Sequence, residues 1–178
     1  MTEEDLKAHI LADRDAMYGY AVTLTRDREL AADLMQDCVV RAFSARSIPM
    51  HATALRPWMF SILRNLWLDR LRALKTVRLH REATHDLDAC EAPISMETVV
   101  VNVLAVRQAM QLLSDEHRDV LGLVDIAGFS YKEAADILSV PHGTVMSRVS
   151  RARMAMCELL SDDRVKQLPM AAGSESRG

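Results

Sequence analysis

Residues 130–154 read SYKEAADILSVPHGTVMSRVSRARM, and the fold turns on how this stretch is phased. Ser130 and, three residues later, Glu133 form a capping-box pattern that starts a helix at Tyr131. That helix, YKEAADIL, presents Ala134, Ala135 and Leu138 on one side, small enough for a second helix to approach closely. A short turn, SVP, follows, and Pro141–Thr144 opens the next helix, because proline is tolerated where the first-turn N–H has no helical partner. In this second helix Val145, Val149, Ala152 and Met156 recur at helical spacing and predict one buried stripe. Opposite that stripe fall Ser147, Ser150, Arg151 and Met154, with Met146 and Arg148 at its edges. Two short helices joined by a tight turn are a helix-turn-helix, whose second helix lies in a DNA major groove. His142, Gly143 and Thr144 sit at its start, where free N–H groups meet phosphate.

Outside this stretch the composition is helical. Aromatic residues make up only 4% of the 178, while Ala, Leu, Met, Arg and acidic residues are plentiful. The length suits two small domains, each with a limited core, that gain stability from a partner. The formal net charge of −3 speaks against a polyanion binder, but the charge is segregated. Residues 1–40 carry 4 basic and 9 acidic groups, residues 41–82 carry 9 basic and 2 acidic, and residues 141–160 carry 3 basic and 1 acidic. Because salt screens charge over about 10 Å, local basic segments count for more than the net value.

Periodicity places helices at 4–25, from Glu29 to Ala45, and from Pro57 to about Leu79, the last with proline in its first turn. Ser47–Arg56 is expected to be a loop. The second helix is expected to bury Leu30, Ala31, Leu34, Met35 and Cys38, leaving Asp33, Gln36, Asp37 and Val40 on its other side with Arg41 at the rim. An acidic face with an exposed valine is odd as a solvated surface and reasonable as a protein contact. The third helix is expected to turn Met59, Leu63, Leu66 and Trp67 to the core and to present Ser61, Arg64, Asn65, Leu68 and Arg72. Trp58 is also read as core. The expected organisation is all-α: a domain at 1–82, an acidic linker at 83–97, a second domain at 98–162, and a frayed tail at 163–178.

Cys38, Cys90 and Cys157 form no CxxC, and the five-residue spacing of His80, His85 and Cys90 shares no helix face. Neither a disulfide framework nor a metal or cofactor is expected, and a reducing cytoplasm fits. No apolar run approaches the roughly 20 residues of a membrane span, and the acidic N-terminus is unlike a signal peptide. No nucleophile–base pair or phosphate loop suggests an enzyme.

The run LSDEHRDVLGLVDIAGFSYKEAADILSVPHGTVMSRVSRARMAMCELL resembles, nearly throughout, the region 4 domain of extracytoplasmic-function (ECF) sigma factors. In that family P-x-G-T-V-x-S-R-x-x-R-A-R marks the helix that reads the −35 promoter element, matched by Pro141, Gly143, Thr144, Val145, Ser147, Arg148, Arg151, Ala152 and Arg153. The resemblance implies a −35 set of His142, Gly143, Thr144, Met146, Ser147, Arg148, Ser150, Arg151 and Arg153; Met146 departs from a position that is often basic. The run ADLMQDCVVRAF resembles the region 2 segment D-L-V-Q-E-x-F-x-R-A, which docks on the clamp helices of the polymerase β′ subunit. This implies core-polymerase contacts at Asp33, Gln36, Asp37, Val40 and Arg41, with Asp37 in place of the usual Glu. PWMFSILRNLWLDRLRALKTVR resembles the −10 segment W-L-x-x-I-A-R-N-x-x-x-D-x-x-R, implying that Ser61, Arg64, Asn65 and Arg72 hold the opened strand beside a base-accepting loop at 47–56.

The resemblance thus implies a sigma factor that binds core RNA polymerase and promoter DNA, and an anti-sigma factor as a further partner. Two other classes share parts of the pattern. A sigma-like decoy for an anti-sigma factor would not need the arginines at 148, 151 and 153. An ordinary helix-turn-helix repressor would leave the acidic face of the second helix unexplained.

Overall fold

The computed structural model describes residues 2–79 and 97–161, which form helices and no strand. The linker expected at 83–97, the tail at 163–178 and the group His80, His85 and Cys90 lie almost wholly outside the described residues. Three helices build an N-terminal bundle: α1 (Glu3–Thr25), α2 (Arg28–Phe43) and α3 (Ala52–Leu79). Four more, α4 (Glu97–Leu112), α5 (Asp115–Leu121), α6 (Tyr131–Leu138) and α7 (His142–Ser161), build a C-terminal one. None of these helices is long and apolar enough to cross a membrane.

Local chemistry sets most helix ends. Thr2 and Asp5 form a reciprocal capping box at α1, and the Asp27 carboxylate accepts from the N–H groups of Glu29 (2.7 Å) and Leu30 (2.9 Å) to start α2. The expected Ser130–Glu133 box is present at α6: the Ser130 hydroxyl accepts from Glu133 N–H, and the Ser130 N–H donates to the Glu133 carboxylate at 2.9 Å. Ser139 then adopts a left-handed φ of 55°, and the Val140 N–H reaches back to the Ala135 carbonyl at 3.1 Å, making the sharp turn into α7.

The second helix ends at Phe43, two residues short of the expected Ala45, and the start of the third differs more. α3 begins at Ala52, so 52–56 are helical and Pro57 lies one turn inside rather than in the first turn. The helix absorbs it because only one bond, to the Thr53 carbonyl, is forfeited. α5 runs without a break into a π turn at Gly122–Ile126, closed by Ala127 N–H to the Gly122 carbonyl at 2.9 Å. Such a turn houses one extra residue in a helix. Gly128, at φ 73°, then redirects the chain toward α6.

Leu6, Met17, Leu34, Cys38, Leu55, Met59 and Leu63 are fully buried in the N-terminal bundle. Val145, Val149 and Ala152 are buried against Ala134 and Leu138, as the phasing predicts, with Met156 packed alongside. Each large aliphatic side chain removed from water contributes about 1.5–3 kcal/mol. Burial pushes the Cys38 thiol up to about 12, so it is held as a neutral, packed thiol. Trp58, Leu66 and Trp67 are half-buried against the core, whereas Phe60, unassigned by phasing, is fully buried. Leu30, expected inside, is 39% exposed, because the bundle contact runs through Ala31 and Leu34.

The two bundles share one continuous core. Phe60 of α3 meets Phe129 edge-on, with ring centroids 4.7 Å apart and planes at 82°. α3 packs on α6, and α1 on both α5 and the π turn.

Ser130→Ala is expected to destabilise the chain by about 1 kcal/mol, read by urea denaturation at neutral pH. The bonds from Ser130 hold the Glu133 carboxyl below its usual value of 4.5. A lowered folded pKa contributes stability that is full above that value and fades as pH falls below it. The difference between wild type and Ser130→Ala is therefore expected to narrow in acid.

Candidate nucleic-acid interface

The outward face of α7 is open. Ser147, Ser150, Arg151 and Met154 are exposed, as are His142 and Gly143 at the helix start; Thr144 is half-buried, and Met146 is 48% exposed. The Ser147 hydroxyl donates to the Thr144 carbonyl at 3.0 Å, and Arg151 Nε to the Ser147 carbonyl at 3.3 Å, so both polar groups stay close to their own helix. A helix N-terminus with free N–H groups beside an exposed guanidinium suits phosphate and guanine edges.

Arg148 and Arg153 are placed differently. Arg148, half-buried, pairs with Glu116 of α5 at 3.3 Å. Arg153 donates to both oxygens of Asp125 in the π turn, at 3.2 and 2.5 Å, and that partner raises its pKa. Both arginines thus brace α7 on the segment preceding α6, leaving Arg151 as the arginine at the centre of the open face.

On α2, Asp33, Gln36, Asp37, Val40 and Arg41 are all exposed, as the phasing predicts, with Val40 at 66%. Leu30 and Phe43 (40% exposed) extend the same side, so the acidic groups are bracketed by apolar ones. Asp37 also accepts from Arg70 of α3 at 2.5 Å. An apolar strip edged by carboxylates fits a protein surface better than a nucleic acid.

The third set, on α3, is split. Asn65 and Arg72 are exposed, Arg72 pairing with Asp69 at 2.6 Å. The Ser61 hydroxyl donates to the Pro57 carbonyl at 2.9 Å. Arg64 points instead at the other bundle, donating from Nε to Asp119 of α5 at 2.8 Å. Asp119 also accepts from the Tyr20 hydroxyl at 2.5 Å. Burial, and then the nearby Asp119 carboxylate, raise the Tyr20 phenol well above its ordinary range, so it donates at neutral pH.

Sequence reasoning missed several residues that join the bundles. Arg56, read as part of a loop, donates to Asp13 at 2.8 Å and to the Ala127 carbonyl, with its guanidinium 4.3 Å from the Phe129 ring centroid. Arg26 pairs with Asp115 at 3.2 Å, and Asp115 also pairs with the buried Arg118. Arg56 and Arg26 find these partners far along the sequence, beyond the reach of helical spacing.

A family model described as Sigma-70 region 2 matches residues 10–76, and one described as Sigma-70, region 4 matches residues 104–156. The chain is 31% identical over 164 residues to the ECF RNA polymerase sigma factor EcfG of Rhodopseudomonas palustris, covering 90% of this chain and 87% of that one. It is 30% identical over 168 residues to the ECF RNA polymerase sigma factor SigM of Mycobacterium tuberculosis, covering 88% and 83%. Among solved structures, the sigma factor RpoE in complex with the anti-sigma factor NepR from Bartonella quintana superposes with a TM-score of 0.77 at 30% identity, covering 90% of this chain and 99% of that one. CnrH, in complex with the cytosolic domain of CnrY, shares the fold with a TM-score of 0.62 at 22% identity, covering 89% of each chain.

Arg151→Ala is expected to weaken binding to duplex DNA by about 1–3 kcal/mol while leaving the melting temperature unchanged. Arg153→Ala, which frees Asp125, is expected to lower the melting temperature. Fluorescence anisotropy and thermal unfolding of the two variants separate the roles.

Proposed function

Because the chain belongs to the ECF RNA polymerase sigma factors, we propose that its two bundles divide promoter recognition between them. Sigma factors are non-enzymatic initiation factors that bind core polymerase and direct it to promoters, and this chain does so with a region 2 and a region 4. Region 4 reads the −35 duplex with the open face of α7: His142, Gly143 and Thr144 at the phosphates, and Met146, Ser147, Ser150 and Arg151 toward base edges. Arg148 and Arg153 orient that helix, with their charges still adding to its field at the DNA. Met146 supplies an apolar contact of the kind that thymine methyl groups accept.

Region 2 has two tasks. The α2 face of Asp33, Gln36, Asp37, Val40 and Arg41, widened by Leu30 and Phe43, docks on the clamp helices of the β′ subunit. Ser61, Arg64, Asn65 and Arg72 on α3 hold the separated −10 strand, and the part of the expected loop that stays outside α3, residues 47–51, accepts its unstacked base. No covalent chemistry is required: opening is driven by trapping bases and phosphates on the protein. The chain acts in the cytoplasm, where the polymerase and promoter are, and an anti-sigma factor holds it inactive, a reading supported by the solved complex of the sigma factor RpoE with the anti-sigma factor NepR.

The observation that carries this reading is the exposed face of α7, with one unburied arginine at its centre, opposite a valine stripe that locks the helix in place. Run-off transcription from genomic fragments, with core polymerase and the purified chain, is expected to yield discrete start sites absent with core alone. Asp33→Arg combined with Asp37→Arg is expected to abolish association with core polymerase, and transcription with it, while far-ultraviolet circular dichroism stays unchanged. Undiminished association of that double variant would remove the α2 face from the account.

A further inference from the structure

An arginine stands at each edge of the open face of α7, and a carboxylate from the segment before α6 holds each one. Arg148 marks one edge and pairs with Glu116 at 3.3 Å. Arg153 follows Met146 by seven residues, nearly two full turns, and so shares the opposite edge. It donates to both oxygens of Asp125, at 3.2 and 2.5 Å. Neither pair is shut away from the surroundings: the Glu116 side chain is 68% exposed and that of Arg153 52%. Exposed pairs of this kind contribute at most about 1 kcal/mol to a fold, so water and DNA phosphate can compete for these arginines.

Charge at the edges of this helix has a particular use. A major groove is about 12 Å wide, and a helix with its side chains is about 10–12 Å across. The centre of a seated helix therefore faces the bases, while its edges lie against the two phosphate walls. A carboxylate bonds a guanidinium in the geometry that a phosphate uses. The charge that Arg148 and Arg153 bring to DNA is thus reduced by the groups that hold them. Arg151, at the centre, donates to a carbonyl of its own helix and has no carboxylate partner among the described residues.

We propose that Glu116 and Asp125 are positioning residues that keep Arg148 and Arg153 off the phosphates. They hold down the sequence-independent part of DNA affinity, so that base contacts at the centre of α7 decide where the helix stays. Removing either carboxylate frees one arginine for the phosphate wall beside it, and sequence-independent binding grows with each phosphate neutralised. The proposal rests on the reading of α7 as the helix that binds duplex DNA.

Anisotropy of the full chain with two fluorescein-labelled duplexes of unrelated mixed sequence, followed across a salt series, tests this. Glu116→Gln and Asp125→Asn are each expected to raise affinity for both duplexes by the same factor. Each is expected to steepen the slope of log K against log salt by about 0.9, and the double variant by about 1.8. The gain of a single variant then shrinks about 3.5-fold between about 50 and 200 mM salt. Arg153→Ala added to Asp125→Asn is expected to cancel that variant's gain. Asp136→Asn removes the same charge from an exposed position of α6 without freeing an arginine, and is expected to leave the slope unchanged. Thermal unfolding confirms that each variant stays folded. Wild-type slopes in both acidic variants, with Arg151→Ala still weakening binding, would overturn the positioning role and leave the reading of α7 standing. An equal change from Asp136→Asn, or a gain confined to one duplex, would overturn it as well. Arg151→Ala without effect would overturn the reading of α7, and the proposal with it.

Discussion

The described residues are arranged around the seam where Phe60 meets Phe129. Each bundle alone has a modest core, and a small domain buries a smaller fraction of its surface than a larger one. By packing aromatic rings across the seam, the two bundles acquire a single contiguous core. Tyr20 extends it on one side, its ring centroid 5.6 Å from that of Phe60, and Arg56 lies over the same pair on another. The polar groups that enter this apolar zone bring partners with them, which is the condition for burying charge at tolerable cost.

The same economy governs the arginines. Arg56, Arg64, Arg70, Arg148 and Arg153 each have an acidic partner from another element of the fold. A charge count along the sequence assigns all of them to a polyanion. The fold spends several on holding helices in register and leaves Arg151 on the open side of the recognition helix. The net charge of −3 is thus compatible with DNA binding for a structural reason: much of the acidic excess is neutralised at helix–helix contacts instead of facing the ligand.

What could be read from the sequence was local. The box at Ser130 and Glu133, the stripe Val145–Val149–Ala152 and the exposed side of α2 depend on residues three or four positions apart, and all appear as phased. What escaped depends on the other bundle. Leu30 looked apolar and therefore internal, but a two-helix contact on α2 has room for only a narrow stripe. Arg64 was legible as a polar position on a stripe; its partner Asp119 is 55 residues away, beyond any periodicity. Phe60, three residues before Leu63 and seven before Trp67, lies at the edge of the phased stripe and was passed over, although it packs on both Tyr20 and Phe129. Pro57 read as a helix start because proline favours that position, whereas Ala52 begins the turn before it.

The π turn at Gly122–Ile126 also has a consequence for the length of the chain. Losing one residue there would cost the helix nothing, since a regular α-helix would close in its place. Every side chain beyond it would rotate by about 100°, one helical step. Phe129 would then leave Phe60, and Asp125 would leave Arg153. Residue count in this five-residue turn is therefore constrained as tightly as the identities of Gly122, Leu123 and Asp125, and alignments of related chains should reject gaps there.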